Sequence, residues 1–286
     1  MNESRWQIWP PLLVYMLLVV LPLVLVVDES FKEYAAGTAG GSRAGGGYTF
    51  QNYRSFLDPA YLGYVKDTFF LSLIACALAI FCAYPIAYWL AHTNWARARK
   101  LVLIALMLAL YVSVLVKVYG IALALGSVGW RPLIASVLGL GQGNRTITAL
   151  VVVIGLLNFL IPIAILMLVA PFQNIDPSLL MASQSLGATR VATHISVVLP
   201  LAAVGMVQTF VLIYCLAISA FVIPWILGRG QIIFLSNLIY ARFSEISNFP
   251  SGSALSVLLL AASLATVFLL TKAAGRVFDP RLRAAP

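Results

Sequence analysis

Six long apolar segments, at about 9–27, 68–91, 101–125, 148–170, 201–227 and 254–271, dominate this 286-residue sequence, and Lys117 is the one charged residue inside them. A helix of about 20 apolar residues crosses a hydrocarbon core of about 30 Å. The chain is 62% hydrophobic and 9% charged. Soluble domains carry about 45–50% and about 25%, so this chain has too little charge to cover its apolar surface in water. That excludes a soluble enzyme, a disordered chain and a secreted disulfide scaffold. A membrane β-barrel would alternate apolar and polar residues over segments of about ten. These segments are long and unbroken, so the expected fold is an all-α membrane protein with six transmembrane helices in one domain, 1–286. Pro22, Pro85, Pro162 and Pro224 lie inside the segments, where neighbouring helices re-satisfy the backbone groups that proline frees.

The net charge of +9 is the signature of a membrane protein oriented by its loops and in contact with lipid head groups, not of nucleic-acid binding, because no basic run interleaves with aromatics on a soluble domain. The first segment is followed by Leu25-Val-Val-Asp-Glu-Ser30, which has no small-x-small cleavage site, so a retained span is expected. With six spans both termini share one side. That side carries nine Lys and Arg, including the cluster Arg97, Arg99 and Lys100, and the other carries eight. The first side has the shorter loops, and both termini are expected in the cytoplasm. The longest outside loop is 28–67, with an irregular Gly- and Ala-rich stretch at 35–47. Cys76, Cys82 and Cys215 sit in apolar segments and read as small packing residues. His92 and His194 have no Cys, Asp or Glu at metal spacing, so no metal site is expected.

No lysine follows a glycine, so the chain has no P-loop and cannot hold ATP in one of its own. An ATP-driven transporter built on this chain would need a partner to supply the energy. The segment with the strongest signal is the cytosolic loop 171–199. Asp176 is a good N-cap and Pro177 suits the first helical position. A short helix over 177–186 follows, Gly187 suits the residue just past a helix end, and a second helix from Thr189 leads to Pro200. The simplest reading of this helix–glycine–helix elbow is an interfacial connector.

The residues are more specific than that. Asp176, Pro177, Leu179, Ala182, Leu186, Gly187, Ala188, Leu199 and Pro200 resemble the EAA loop of binding-protein-dependent ABC importer permeases. In size and placement the resemblance covers about 52–272, and Val116-Lys-Val-Tyr-Gly120 is similar to a stretch of the spermidine/putrescine-type permeases. Two positions depart from the pattern. The name-giving Glu-Ala-Ala is Met181-Ala182-Ser183, which removes one acid that could pair with an ATPase, and a basic position usually held by arginine is Lys117.

The resemblance implies a type I ABC importer permease bundle with a cytosolic coupling-helix elbow, in a bacterial inner membrane. It implies as partners a second, homologous permease in a heterodimer, two ATPase subunits and a periplasmic solute-binding protein. ATP and Mg would sit on the ATPase, with no cofactor bound by this chain and no reaction catalysed by it. Asp176, Pro177, Leu179, Met181, Ala182, Ser183, Leu186, Gly187 and Ala188 would couple the bundle to the ATPase, and polyamines or similar small polar solutes would be the cargo.

Polar groups inside spans are costly and face a cavity or a neighbour. Tyr84, Tyr88, Lys117, Tyr119, Asn158, Tyr214, Ser219 and Trp225 are therefore candidates to line the translocation path, with helix packing as the alternative for the tyrosines and Ser219. Lys117 either faces the bundle interior or snorkels to the outer head groups. A cationic solute would meet Lys117 and no balancing acid in the spans, although Tyr84, Tyr88 and Trp225 offer cation–π faces. The rival readings are a stand-alone secondary transporter or channel, and an intramembrane enzyme. The first expects intramembrane acids or an internal repeat, neither of which is evident, and the second expects a metalloprotease helix, paired aspartates or a Ser/His dyad.

Overall fold

A computed structural model describes residues 13–278 apart from 36, 38–46, 57, 127, 128, 138, 140 and 142, and leaves undescribed the side chains at 60, 134 and 273–278. The start of the first expected span at 9–12, most of the Gly- and Ala-rich stretch and the terminal charges Arg5, Arg281 and Arg283 lie outside the described residues. No β-strand forms among the described residues; an antiparallel bridge joins Lys32 to Tyr48.

The helices, in chain order, are α1 (Leu21–Ser30), α2 (Gln51–Ser55), α3 (Pro59–His92), α4 (Ala96–Tyr111), α5 (Val114–Ala124), α6 (Arg131–Val137) and α7 (Arg145–Gln173). They continue with α8 (Pro177–Ser185), α9 (Arg190–Thr193), α10 (Leu199–Ile218), α11 (Val222–Leu227), α12 (Leu235–Tyr240) and α13 (Phe249–Phe278). Five stretches are long and apolar enough to cross a membrane: Leu13–Ser30, Tyr61–His92, Arg145–Gln173, Arg190–Ile218 and Phe249–Lys272.

The third segment departs from the straight helix expected over 101–125. It is two helices, α4 and α5, bent by 91°. Val112 and Ser113 between them are extended, with ψ of 127° and 134°. Neither residue is a proline or glycine, and the apolar run continues through the break, so nothing local announced it. The fifth segment also departs. Its helix starts at Arg190 and ends at Ile218, and the expected remainder to 227 is the separate short helix α11.

Two prolines carry their own local solution. Met16–Val20 and His194–Val198 are single π-turns, and each ends two residues before a proline, Pro22 and Pro200. Proline cannot donate to the carbonyl four residues back and its ring crowds that turn. The wider turn makes room, and the helix continues. By contrast Pro85 and Pro162 sit inside unbroken α3 and α7.

By contacts the described residues fold as two compact units: those up to 65 with 235–264, and 66–234 with those from 265 on. In the first, the described ends of the long outside loop are ordered. The buried Ser30 hydroxyl donates to Val27 O at 2.6 Å and meets Tyr53 Oη at 2.6 Å. Asn52 Nδ2 donates to both Ser30 O and Lys32 O, at 2.9 and 3.0 Å, and Phe31 packs on Phe50 and Tyr53. Hydrogen bonds to Glu29 and Asp28 raise the Lys32 ammonium above its ordinary pKa. Arg242 donates to Tyr61 Oη in the same unit.

The second unit is built around α7, which touches α4, α5, α6, α10 and α11. Small residues set two of these approaches. A Cβ on Gly155 would overlap Leu227 Cδ1 of α11 and come within 2.9 Å of Ile223 Cγ2, and one on Gly205 of α10 would overlap the Pro171 ring of α7. Close glycine contacts of this kind let membrane helices gain packing contacts. Overpacking a tight core costs about 1–3 kcal/mol, so Gly155→Leu is expected to lower the melting temperature of the detergent-solubilised protein by several degrees. An unchanged melting curve would show that α11 is not seated on α7 there.

Candidate functional site

The elbow between α7 and α10 is built as its residues dictate. Asp176 Oδ1 accepts from Ser178 N–H at 2.9 Å, and Pro177 opens α8. That hydrogen bond lowers the pKa of the Asp176 carboxyl. At the other end, Gly187 N–H donates to Gln184 O at 2.9 Å and Ala188 N–H to Ser183 O at 3.2 Å. Gly187 has φ of +88°. This is a Schellman ending, which needs a left-handed residue where glycine stands. Thr189 then caps α9 by accepting from Ala192 N–H at 3.3 Å. Ser183 Oγ meets Thr193 Oγ1 at 3.2 Å and ties the two arms together.

The second arm runs without interruption from α9 through the π-turn into α10. It is pinned by a cluster of rings. Tyr84, Tyr88 and His92 lie four residues apart on one face of α3. Tyr84 Oη is 3.2 Å from His194 Nδ1 of the π-turn. The Tyr88 ring stacks on His92 at 4.4 Å and meets His194 edge-on at 4.4 Å. Phe172, fully buried near the end of α7, packs edge-on against Tyr84 at 5.1 Å and Tyr88 at 5.7 Å. A movement of the elbow is thereby tied to α3 and α7. The first arm is different: no residue of α8 is buried. Leu179, Ala182 and Leu186 form a stripe at i, i+3 and i+7 that is exposed, as is Met181 to one side.

The path candidates scatter. Tyr84 and Tyr88 join the ring cluster. Tyr214 is fully buried and stacks on Phe210 at 6.0 Å. Lys117 is half-buried on α5, with exposed Tyr119 two residues on; Asn158 is exposed on α7. Ser219 donates to Leu216 O at 3.1 Å at the end of α10, and Trp225, exposed, stacks on Phe221 at 5.5 Å. Of the cysteines only Cys76 is buried; Cys82 and Cys215 are exposed, so the packing role expected for all three holds for one. Sequence reasoning set His92 and His194 aside as non-metal residues and missed their role as anchors. The available signal was the repeat of Tyr84, Tyr88 and His92 at helical spacing.

No family model matches the chain. Among curated proteins, it is 29% identical over 216 residues to the spermidine/putrescine transport system permease protein PotB of Escherichia coli K12, covering 74% of this chain and 78% of that protein. It is 28% identical over 239 residues to the inner membrane ABC transporter permease protein YdcU of the same organism, covering 77% and 75%. Among solved structures, a chain of a bacterial ABC transporter involved in the import of the acidic polysaccharide alginate superposes with a TM-score of 0.73 at 14% identity, covering 96% of this chain and 97% of that one.

Proposed function

We infer that this chain, a permease subunit of an ABC importer, passes a small polar solute from a periplasmic binding protein across the inner membrane, driven by ATPase subunits that grip its elbow. The observation that carries this reading is the contrast within the elbow. One arm is capped, locked by a Schellman turn and left with an exposed apolar stripe. The other is continuous with α10 and anchored in rings on α3 and α7. An exposed apolar stripe on a short rigid helix suits a groove on a partner, and the anchored arm would carry the partner's motion into the spans. ATP and Mg would be held by the ATPase, and both termini and the elbow would face the cytoplasm. A second, homologous permease would complete the bundle.

Spermidine and putrescine, the solutes in PotB's name, make polyamines the first cargo to test. The test is reconstitution of the chain with its co-purified partners in liposomes. Binding protein plus solute is expected to stimulate ATP hydrolysis and uptake together, with competition among putrescine, an amino acid and an organic anion naming the solute class. Solute uptake by the chain alone, with no ATPase present, would overturn the reading in favour of a stand-alone transporter.

A further inference from the structure

Beside α7, outside the elbow and the ring cluster, two arginines share a small cavity. Arg131, at the start of α6, is only 4% exposed. One of its nitrogens donates to Thr148 Oγ1 at 2.9 Å, Thr148 donates to Gln231 Oε1 at 2.7 Å, and Gln231 Nε2 donates to Gly143 O at 3.1 Å. This network holds the guanidinium in one place. Arg229 enters from the turn after α11. Its φ is +50°, and Gly230 follows at +74°. A left-handed conformation at a residue with a long side chain is uncommon and costs energy, and such positions gather at functional sites.

Both arginines line a cavity of about 220 Å³, whose remaining walls include Ala122, Gly126, Val151 and Leu227. No carboxylate stands among its described lining residues. Arg131 and Arg229 line the one small cavity, and burial, followed by the like charge of Arg229, lowers the pKa of Arg131. Two guanidiniums on the wall of one small cavity offer an anion several converging donors.

We propose that this cavity is a binding subsite for the carboxylate of a small solute, held by the guanidiniums of Arg131 and Arg229 with its short aliphatic stem against Ala122, Val151 and Leu227. The planar forks of arginine match a carboxylate in two-point contact. The apolar walls favour an organic acid over a hydrated inorganic anion, and the volume suits a small group. The proposal rests on the reading of the chain as an importer permease and refines its cargo. A purely cationic polyamine would meet like charge here, whereas a solute bearing an amine and a carboxylate would not.

The test is calorimetric titration of the purified transporter complex with 4-aminobutyrate, putrescine and sulfate. The first two share a four-carbon chain and differ in the carboxylate, and sulfate reports a generic anion site. Preferential binding of 4-aminobutyrate is expected, weakened at least tenfold in Arg229→Gln and by a smaller factor in Arg229→Lys, which keeps the charge and loses the fork. Arg229→Gly, which relaxes the backbone, is expected to bind as weakly as Arg229→Gln. Putrescine or sulfate binding as tightly as 4-aminobutyrate, or unchanged affinity in Arg229→Gln, would overturn the proposal. Arg229 is exposed on a turn, so its variants keep the assembly intact, and a gel-filtration profile checks this. The titration reads binding without ATP turnover, so failure here leaves the importer reading standing, and failure of coupled hydrolysis leaves this site standing.

Discussion

Gly187→Val is expected to abolish solute-stimulated ATP hydrolysis and uptake while leaving membrane insertion and abundance near normal. The cause is conformational. Nothing lies within 4 Å of a Cβ at this position, so valine meets no steric wall. Its φ of +88° is what a β-branched residue resists, by at least about 1–2 kcal/mol. The Schellman turn would open, the bonds from Gly187 and Ala188 back to Gln184 and Ser183 would be lost, and α8 would point away from its proposed ATPase groove. Gly187→Asn, which tolerates the left-handed region, is expected to keep most activity. ATPase and uptake assays on reconstituted complexes decide the matter. Full coupling in Gly187→Val, with correct assembly, would reduce the elbow to an ordinary connector.

The paired change Leu179→Asp with Leu186→Asp is expected to weaken association with the ATPase by at least about 100-fold. Burial of a leucine side chain contributes about 1.5–3 kcal/mol, and every 1.4 kcal/mol is tenfold in affinity. Two such losses exceed the stated factor before the cost of burying carboxylates is added. Met181→Glu, in contrast, is expected to be tolerated. Met181 lies off the stripe formed by Leu179, Ala182 and Leu186, is 63% exposed, and stands where the loop that this segment resembles carries an acid. Pull-down of the ATPase by the tagged permease measures both. Equal retention by the paired variant and the parent would remove the apolar stripe from the docking surface.

Some of this was legible from residues alone because the physics is local. The membrane class follows from unbroken apolar runs, since no soluble fold can cover them. The elbow follows from Asp176, Pro177, Gly187 and Thr189, each of which solves a backbone problem at its own position. The ends of α8 therefore lie within a residue of the places those four assign.

The break in the third segment was not legible, because Val112 and Ser113 are ordinary residues in an apolar run. Their extended conformation accompanies the packing of α5 against α7 and α11, a contact between distant parts of the chain. The same holds for the ring cluster. Sequence separation between Tyr84 and His194 is 110 residues, and only the fold brings them within hydrogen-bonding distance. Arg131 and Arg229 counted as two loop charges on the sequence, indistinguishable from solvated ones. The sequence by itself determined the class of environment and the local turns, because hydropathy and backbone conformation are properties of short segments. The tertiary structure alone decided which charges are buried, which rings anchor the elbow and where the third span bends, because those depend on what each residue meets across the bundle.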